Sequence, residues 1–394
     1  MRQLNATAKR ITPADSYWLF GYYDIPAFDR GCGRHLAIHV PFMDHMPTKD
    51  DVAEIYCIDL SDGSREKLGE TKAWCFQQSC FIQWLPAYPD TVIWNTRLDN
   101  ECGYGAVIKN IRTGEQRVID RPVATVSPDC RHALSVNFDR MFDFRPGYGY
   151  AGRRDPWYDV KHPEDDGVYL VDLETGAYRL IISLDTLWKL TGKYFGGEDQ
   201  KVMINHINFN TDGSRFVFLL RNMDGAHWKT AILTANTDGS DIYVLSDFAY
   251  ASHYYWVSPD VLSIHSSGLE LGDLGNQLYE LTDRTHTGRT VDTGFFVRDG
   301  HVSYSPDRQY ILYDSYPLAD LHQELYLYDL KTRRGGLLGR FKSRDFKPVD
   351  IRCDLHPVWA PSGDMISFDS VFEGYRGIYT MDVREAKRQL REEA

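Results

Sequence analysis

One strand–turn–strand phrase recurs along this chain of 394 residues and restricts the possible folds more than any other feature. Each copy has an apolar strand, a tight turn such as Ser-Pro-Asp or Thr-Asp-Gly, and a second apolar strand, which predicts a β-hairpin. A short β unit repeated at a regular spacing indicates a repeat architecture rather than several unlike domains. The clear copies span residues 122–138, 206–220, 253–265, 301–315 and 356–370.

Further strands complete each repeat. A third strand usually ends in an Asp-rich turn, and a fourth, more polar strand leads to the next copy. Two degenerate hairpins come earlier, within 20–42 and 80–97. The total is seven units of about 56 residues. Four-stranded units repeated seven times predict an all-β fold, a seven-bladed β-propeller of antiparallel blades that occupies 1–394 as a single domain. The third strands are expected within residues 52–63, 166–176, 231–240, 324–333 and 375–383.

Three segments depart from the repeat. The last unit has three obvious strands, so we expect the N-terminal segment 7–13 to supply the fourth and to close the ring. An insertion at about 139–165 is rich in Arg, Tyr, Gly and Pro. A loop of this length is usually functional or disordered, and its aromatic and Arg content argues against disorder. We expect it to fold over one face, with a purely structural insertion as the alternative. The tail at about 384–394 is the clearest helix candidate and is too polar on all sides to be core.

The charge balance limits the partners. The chain has 44 Lys and Arg against 56 Asp and Glu, a formal net charge of −12, whereas nucleic acids and anionic membranes are bound by clustered Lys and Arg. We therefore expect no nucleic acid and no membrane partner, while a short anionic ligand in a locally basic pocket remains compatible.

The sequence shows no membrane-span or secretory signal. No run approaches the roughly 18 apolar residues of a bilayer span, and no secretory signal is visible. The seven cysteines contain no CxxC pair. These features predict a cytoplasmic protein with reduced thiols, and they leave the oligomeric state open.

Four histidines stand at the same point of consecutive repeats, just inside the first strand. They are His206, His253, His301 and His356, at separations of 47, 48 and 55 residues. Because the first strand of each propeller blade lines the central channel, we expect these imidazoles to face one axial region. Imidazoles brought together need a shared cation, carboxylate partners or a shift to the neutral form. The alternative is a packing histidine that the repeat has copied.

Arginines and aromatic residues near these elements form a second set of candidates. Arginine binds carboxylates bidentately, and aromatic rings can stack on sugar rings. Salt bridges between blades and core packing are the alternative roles. The candidates are Arg97, Arg140, Arg221, Arg352, Tyr22, Tyr148 and Tyr150, with Gln78 near the equivalent place in the second repeat.

The hairpin phrase resembles the repeat of TolB-type propellers, and the phrases around His301 and His356 resemble the oligogalacturonate lyase family. Those enzymes cleave short uronate oligomers by β-elimination, with manganese held by histidines and a glutamine. The segment DLHPVWAPSGDMISFDS at 354–370 is similar to their His-Pro-His-Pro segment. Here His356 matches the second histidine, Asp354 replaces the first, and Ile351 stands in place of the glutamine. A carboxylate can still bind Mn²⁺ beside imidazoles.

The resemblance, taken with these residues, implies a lyase acting on a short acidic oligosaccharide, with a divalent metal, Mn²⁺ first. A metal-free lyase using His, Tyr and Arg is an alternative. So are a glycoside hydrolase on the same scaffold and a non-catalytic interaction propeller. We expect His253, His301, His356 and Asp354 as metal ligands, His206, His253, Arg221 and Tyr150 in catalysis, and Arg97, Arg140, Arg352, Tyr22, Tyr148 and Gln78 in substrate binding.

Overall fold

The computed structural model describes residues 1–195, 200–224, 227–247, 251–266 and 276–392. Within these residues the chain is a seven-bladed β-propeller of four-stranded antiparallel sheets, as the repeat predicted. The strands are β1 (Lys9–Arg10), β2 (Tyr17–Leu19), β3 (Arg34–Val40), β4 (Ala53–Asp59), β5 (Arg65–Thr71), β6 (Gln83–Trp84), β7 (Thr91–Arg97), β8 (Tyr104–Asn110), β9 (Gln116–Ile119), β10 (Thr125–Val126), β11 (His132–Ser135), β12 (Gly167–Asp172), β13 (Tyr178–Ser183), β14 (Met203–Phe209), β15 (Arg215–Asp224), β16 (His227–Asn236), β17 (Tyr243–Asp247), β18 (Ala251–Ser258), β19 (Val261–Ser266), β20 (Gln277–Thr282), β21 (Gly288–Thr290), β22 (Val302–Tyr304), β23 (Tyr310–Asp314), β24 (His322–Asp329), β25 (Arg334–Lys342), β26 (Val358–Trp359), β27 (Met365–Ser370) and β28 (Gly377–Asp382).

Six sheets follow the chain in order, and the seventh joins its two ends. The six are β2–β5, β6–β9, β10–β13, β14–β17, β18–β21 and β22–β25, and the seventh has the order β1-β28-β27-β26. In that sheet Lys9 lies opposite Thr380 and Arg10 opposite Tyr379. The Arg10 side chain also donates to the Tyr379 hydroxyl at 2.8 Å. The prediction that 7–13 completes the last blade is therefore confirmed.

The chain forms two compact units. The first unit comprises Met1–Trp84, His253–Tyr255 and Arg298–Ala394, and the second unit comprises Leu85–Ser252 and Trp256–Val297. Each unit has an apolar core, built in the first around Leu312, Leu327 and Phe368 and in the second around Ile93, Ala106 and Val171. The expectation of one domain over 1–394 stays a prediction.

The earliest hairpin differs from its prediction. The first strand of that blade is β2, and residues 20–29 follow it as turns and a single bridge. The amide of Ile25 donates to the carbonyl of Tyr22, which closes a turn, and Pro26 has no N–H for a ladder. The turn places Tyr22 and Tyr23 in the interior, where both are buried.

Helices occur where the strand repeat is interrupted or ends. The described residues hold α1 (Phe138–Phe144), α2 (Leu184–Phe195), α3 (Arg384–Glu392) and a 3₁₀ turn at Val349–Ile351. The insertion begins with α1, whose N-cap Asn137 accepts from the Arg140 amide at 2.9 Å. The repeat did not predict α2. None of the helices in the described ranges is long and apolar enough to cross a bilayer.

The C-terminal tail is helical, as predicted, up to the end of the described residues; 393–394 lie outside them. The expectation that the tail stays outside the core was wrong. Ala386 and Leu390 are buried and pack with Leu4 and Tyr310. They are four residues apart and therefore share one face of the helix, while the remaining faces are charged.

Candidate metal and catalytic site

Three of the four in-phase histidines meet in the first unit. The ring centres of His253 and His301 are 4.1 Å apart, and those of His301 and His356 are 4.3 Å apart. His301 immediately precedes β22 and His356 lies two residues before β26. The blade period therefore brings these imidazoles together, as the sequence predicted.

Asp354 joins two of these histidines in a group that could hold a metal ion. One ligand atom from each of His301, Asp354 and His356 lies within 4.8 Å of the others, and all three residues are buried. We call this group the His–Asp–His cluster.

The cluster has unused ligand atoms. Among the described residues, Nε2 of His301, both ring nitrogens of His356 and Oδ1 of Asp354 have no hydrogen-bond partner. Buried polar atoms without partners are costly. Two imidazoles and a carboxylate suit Mn²⁺ and related divalent ions, so these residues fit such a metal.

Two of the three ligands are held by a neighbouring side chain. Nδ1 of His301 lies 3.0 Å from both carboxylate oxygens of Asp314, whose Oδ1 also accepts from the His301 amide at 2.6 Å. Oδ2 of Asp354 accepts from Nε of Arg352 at 2.7 Å. A carboxylate on one imidazole nitrogen orients the other nitrogen toward a metal.

The electrostatics differ between the two histidines. Burial alone would lower the pKa of His301, but the negative charge of Asp314 and its hydrogen bond raise that pKa overall. Burial, together with the positive charges of His301 and Arg376, lowers the pKa of His356 well below its usual value. His356 is therefore neutral near pH 7, the state in which imidazole binds metals.

The backbone at His356 is in the left-handed region, with a φ of 42°. Such a conformation is uncommon for a residue other than glycine and costs free energy, so it persists only where the surroundings enforce it. One enforcing contact is adjacent, since the Asp369 amide donates to the Leu355 carbonyl at 2.8 Å.

A buried ion pair and a glutamine fix the segment that carries Asp354 and His356. Nη2 of Arg376 donates to Asp369 at 2.7 Å, and its Nη1 donates to the Phe76 carbonyl at 3.0 Å. The next residue, Gln77, donates from Nε2 to the Arg352 carbonyl at 2.9 Å. Gln78 is buried beside it, with Oε1 unpartnered among the described residues.

The sequence predicts His253 as a metal ligand too, but the group of ligand atoms in the cluster does not include it. Its Nδ1 lies 3.2 Å from Oδ1 of Asp299, and its Nε2 lies 3.4 Å from the hydroxyl of Tyr316. A carboxylate on Nδ1 favours the tautomer whose Nε2 can accept a proton.

Two tyrosines cover these rings. The ring centre of Tyr22 lies 4.8 Å from that of His356 and 5.6 Å from that of His301. The hydroxyl of Tyr23 donates to the Tyr254 carbonyl at 2.6 Å, and burial raises the pKa of Tyr23 well above its usual value. The Tyr23 hydroxyl therefore stays protonated and donates its hydrogen bond to the Tyr254 carbonyl.

The other predicted site residues lie in the second unit. His206 is at a bulge of β14 with a φ of 50°, and its ring meets Tyr148 edge to face at 5.4 Å. Arg221 donates to Asn205, the neighbour of His206, at 2.8 Å. The structure thus brings His206, Tyr148 and Arg221 into one region of this unit.

Three further predicted residues are engaged in structural contacts in the second unit. Buried Arg140 pairs with Asp155 at 3.0 Å. Tyr150 accepts from Asn95 at 2.9 Å, and Arg97 donates to the Ala151 carbonyl at 2.5 Å. The substrate-binding and catalytic roles predicted for residues of the second unit stay predictions.

The sequence reasoning missed Asp314, which orients His301, and Asp369, which pairs with Arg376 and whose amide binds the segment before His356. Asp314 and Asp369 stand at the same place in two repeats, as YDS at 313–315 and FDS at 368–370. That repetition was a usable signal. Asp299, two residues before His301 in the sequence, carried no comparable signal.

Structural comparison finds solved structures that share the propeller fold. The oligogalacturonate lyase of Vibrio parahaemolyticus matches with a TM-score of 0.67 at 16% identity, over 98% of this chain and 98% of that one. The chain shares its fold with oligogalacturonate lyases. An oligogalacturonate lyase in complex with manganese matches with a TM-score of 0.70 at 16% identity, over 98% and 99%.

The same fold also occurs outside lyases. The β-propeller domain of the Trilobed protease from Pyrococcus furiosus matches with a TM-score of 0.51 at 10% identity, over 92% of this chain and 95% of that one. No protein-family model matches the sequence, and no curated protein does. The fold resemblance predicted from the sequence is confirmed, and any function must be argued from the site.

Proposed function

We propose that this protein is a metal-dependent lyase that cleaves short uronate-containing oligosaccharides by β-elimination. The observation that carries the proposal is the His–Asp–His cluster, with its buried and unpartnered ligand atoms. The fold shared with an oligogalacturonate lyase in complex with manganese supports it.

His301, Asp354 and His356 would hold the metal, with Mn²⁺ as the first choice for this donor set. When bound, the ion supplies positive charge that stabilises the charge developing on the uronate carboxylate. Asp314 and Arg352 keep the ligands oriented through their hydrogen bonds to His301 and Asp354.

His253 is the proposed base. Asp299 faces its Nδ1, so Nε2 can take the proton from C5 of the uronate. The C5–H electron pair becomes the C4–C5 double bond and the C4–O bond breaks. The departing glycosidic oxygen takes a proton from water, and protonated His253 returns its proton to solvent. Tyr22 and Gln78 are the proposed substrate contacts in the first unit, together with Arg352.

The further predicted residues remain part of the proposal. His206, Arg221 and Tyr150 are proposed to assist catalysis, and Arg97, Arg140 and Tyr148 to contact substrate. The partner is a short acidic oligosaccharide. We also propose a cytoplasmic location, because all seven cysteines are free thiols, as is usual in a reducing compartment.

The test is the ultraviolet absorbance of the conjugated double bond. The purified protein is incubated with galacturonate, glucuronate and alginate-type oligomers, with Mn²⁺ or with EDTA. We expect absorbance to rise with at least one oligomer and to be lost in EDTA. Products without a double bond would instead indicate a hydrolase, and no product from any oligomer would contradict the proposal.

Variants separate the proposed role of His253 as the base from that of His301 as a metal ligand. His253→Ala should abolish turnover yet retain the metal, whereas His301→Ala should lose both. His45→Ala is the matched control, because His45 is half-exposed and distant in sequence from the cluster. Retention of metal and activity in His301→Ala would exclude the His–Asp–His cluster as the site.

A further inference from the structure

A cavity of about 390 Å³ lies in the second unit and is not used by the proposed lyase site. Its volume falls in the range of small-molecule sites. Its wall includes residues of the insertion and of the neighbouring sheets, among them Arg121, Asp139, Trp157, Asp166 and Tyr178. It shares no residue with the His–Asp–His cluster, which belongs to the first unit.

One wall of the cavity carries a buried cation. Arg121 is 9% exposed, and its guanidinium carbon lies 3.4 Å from the ring centre of Tyr169 and 5.1 Å from that of Tyr178. Among the described residues its Nε has no hydrogen-bond partner. The Arg121 side chain thus brings a desolvated positive charge to the wall of the cavity, where a polar ligand can interact with it.

Two buried carboxyl groups also line the cavity. Asp166 is fully buried; its Oδ2 accepts from Asn137 at 2.9 Å, while its Oδ1 has no partner among the described residues. Asp139 accepts from the Tyr104 hydroxyl at 2.7 Å. Burial raises the pKa of Asp139 to about 7 and raises that of Asp166, which reduces the negative charge of the cavity near neutral pH.

The remaining charged lining residues are of both signs. Arg153 lies 3.3 Å from Asp139, and Glu101 and Asp165 stand at the exposed side. An anionic ligand would meet the carboxylates, and a cationic ligand would meet Arg121 and Arg153. A hydroxyl group both donates and accepts, so a neutral ligand with several hydroxyl groups can pair with lining residues of either sign.

Aromatic rings complete the chemistry. Trp157 is half-buried and Tyr178 is 43% exposed, so both offer ring surface at the cavity. Rings beside paired donors and acceptors suit the C–H face and the hydroxyls of a sugar. We propose that this cavity is a second binding site, for a neutral saccharide unit. The inference goes beyond the proposed lyase and does not depend on it.

The test compares three forms of one sugar ring that differ in charge. Binding of D-galactose, D-galactosamine and D-galacturonate is measured by saturation-transfer NMR and calorimetry, with D-glucose, D-xylose, lactose and cellobiose as further neutral probes. We expect at least one neutral sugar to bind, and in competition each charged form should displace it only at concentrations at least about fivefold higher. Displacement of the neutral sugar by a charged form at equal or lower concentration, or no neutral binder up to about 20 mM, would overturn the proposal.

Variants locate the binding. Tyr178→Ala should weaken the neutral sugar at least about tenfold, whereas Tyr88→Ala should not, because Tyr88 is similarly exposed, at 46%, and does not line the cavity. Arg121→Ala should also weaken binding of the neutral sugar, provided that circular dichroism shows this variant to be folded. If it is unfolded, the comparison of Tyr178→Ala with Tyr88→Ala decides whether the sugar binds in the cavity. Equal affinity in the Tyr178 and Tyr88 variants would refute the site. Metal content and lyase turnover on uronates are independent readouts, so failure here is separable from failure of the proposed function.

Discussion

At the residue scale, Asp314 determines how His301 can act. Its carboxylate contacts both the imidazole and the amide of that residue. Asp314→Asn removes the charge with little change in size, so Nε2 becomes less basic and less well oriented. We expect the affinity for Mn²⁺ to fall about 10–100-fold, measured by calorimetry on the metal-free protein.

The control for that variant is Asp320→Asn, since Asp320 is exposed and pairs with Arg340 at the surface. Its affinity for Mn²⁺ should equal that of the unmodified protein. Unchanged affinity in Asp314→Asn would show that Asp314 serves packing alone.

A second residue-scale prediction concerns His35. It is buried, with Nδ1 2.6 Å from the Leu36 carbonyl oxygen and Nε2 2.9 Å from the Ser367 hydroxyl. Burial lowers its pKa to about 4, against about 6.5 in an unfolded chain. The unfolded state therefore takes up the proton first as the pH falls.

The stabilisation from neutral His35 is thus complete above pH about 6.5 and is lost as the pH falls toward about 4, by on the order of 3 kcal/mol. Urea unfolding at a series of pH values measures this loss. His35→Gln, which keeps polar contacts but does not titrate, should show a shallower decline. Parallel curves for the two proteins would contradict the assignment.

At the element scale, helix α3 contributes to the core through one narrow face. Leu390 is 2% exposed and packs with Leu4 and Tyr310. Leu390→Ala leaves a cavity there, and we expect a loss of about 2–5 kcal/mol in the free energy of unfolding, measured by denaturant titration.

Arg388→Ala is the matched change on the exposed face of the same helix. It should leave the free energy of unfolding close to that of the unmodified protein, because surface ion pairs contribute little. A similar loss in both variants would mean that the burial of Leu390 does not explain the effect.

The elements that the sequence could predict are those set by local chemistry. Each clear hairpin combines β-forming residues with a tight turn, and the strands β22, β23, β26 and β27 fall inside the predicted copies. The burial of α3 depends on Leu4, which is almost the whole chain away in sequence. The polar composition of the tail cannot reveal a contact with the N-terminal segment. The four-residue spacing of Ala386 and Leu390 did indicate one apolar face on the helix.

At the scale of the whole molecule, the blade period explains why part of the site was predictable. The same position in successive repeats occupies the same part of each blade. His253, His301 and His356 therefore meet although they are far apart in sequence. Among the carboxylates beside them, Asp314 also stands at a repeated position, whereas Asp299 does not, and its contact with His253 depends on side-chain packing. Asp354 was predicted because it replaces a histidine in a recognisable segment.

Metal binding should also be visible in the stability of the whole chain. An ion that binds only the folded state raises the free energy of unfolding by about 2.7 kcal/mol at 100 times its Kd. We expect Mn²⁺ to raise the unfolding temperature in calorimetry and EDTA to reverse the shift. The double variant His301→Ala, His356→Ala should show no shift, because both imidazole ligands of the His–Asp–His cluster are gone. A shift that persists in this variant would place the ion elsewhere in the protein, and the lyase proposal would then lose its metal site.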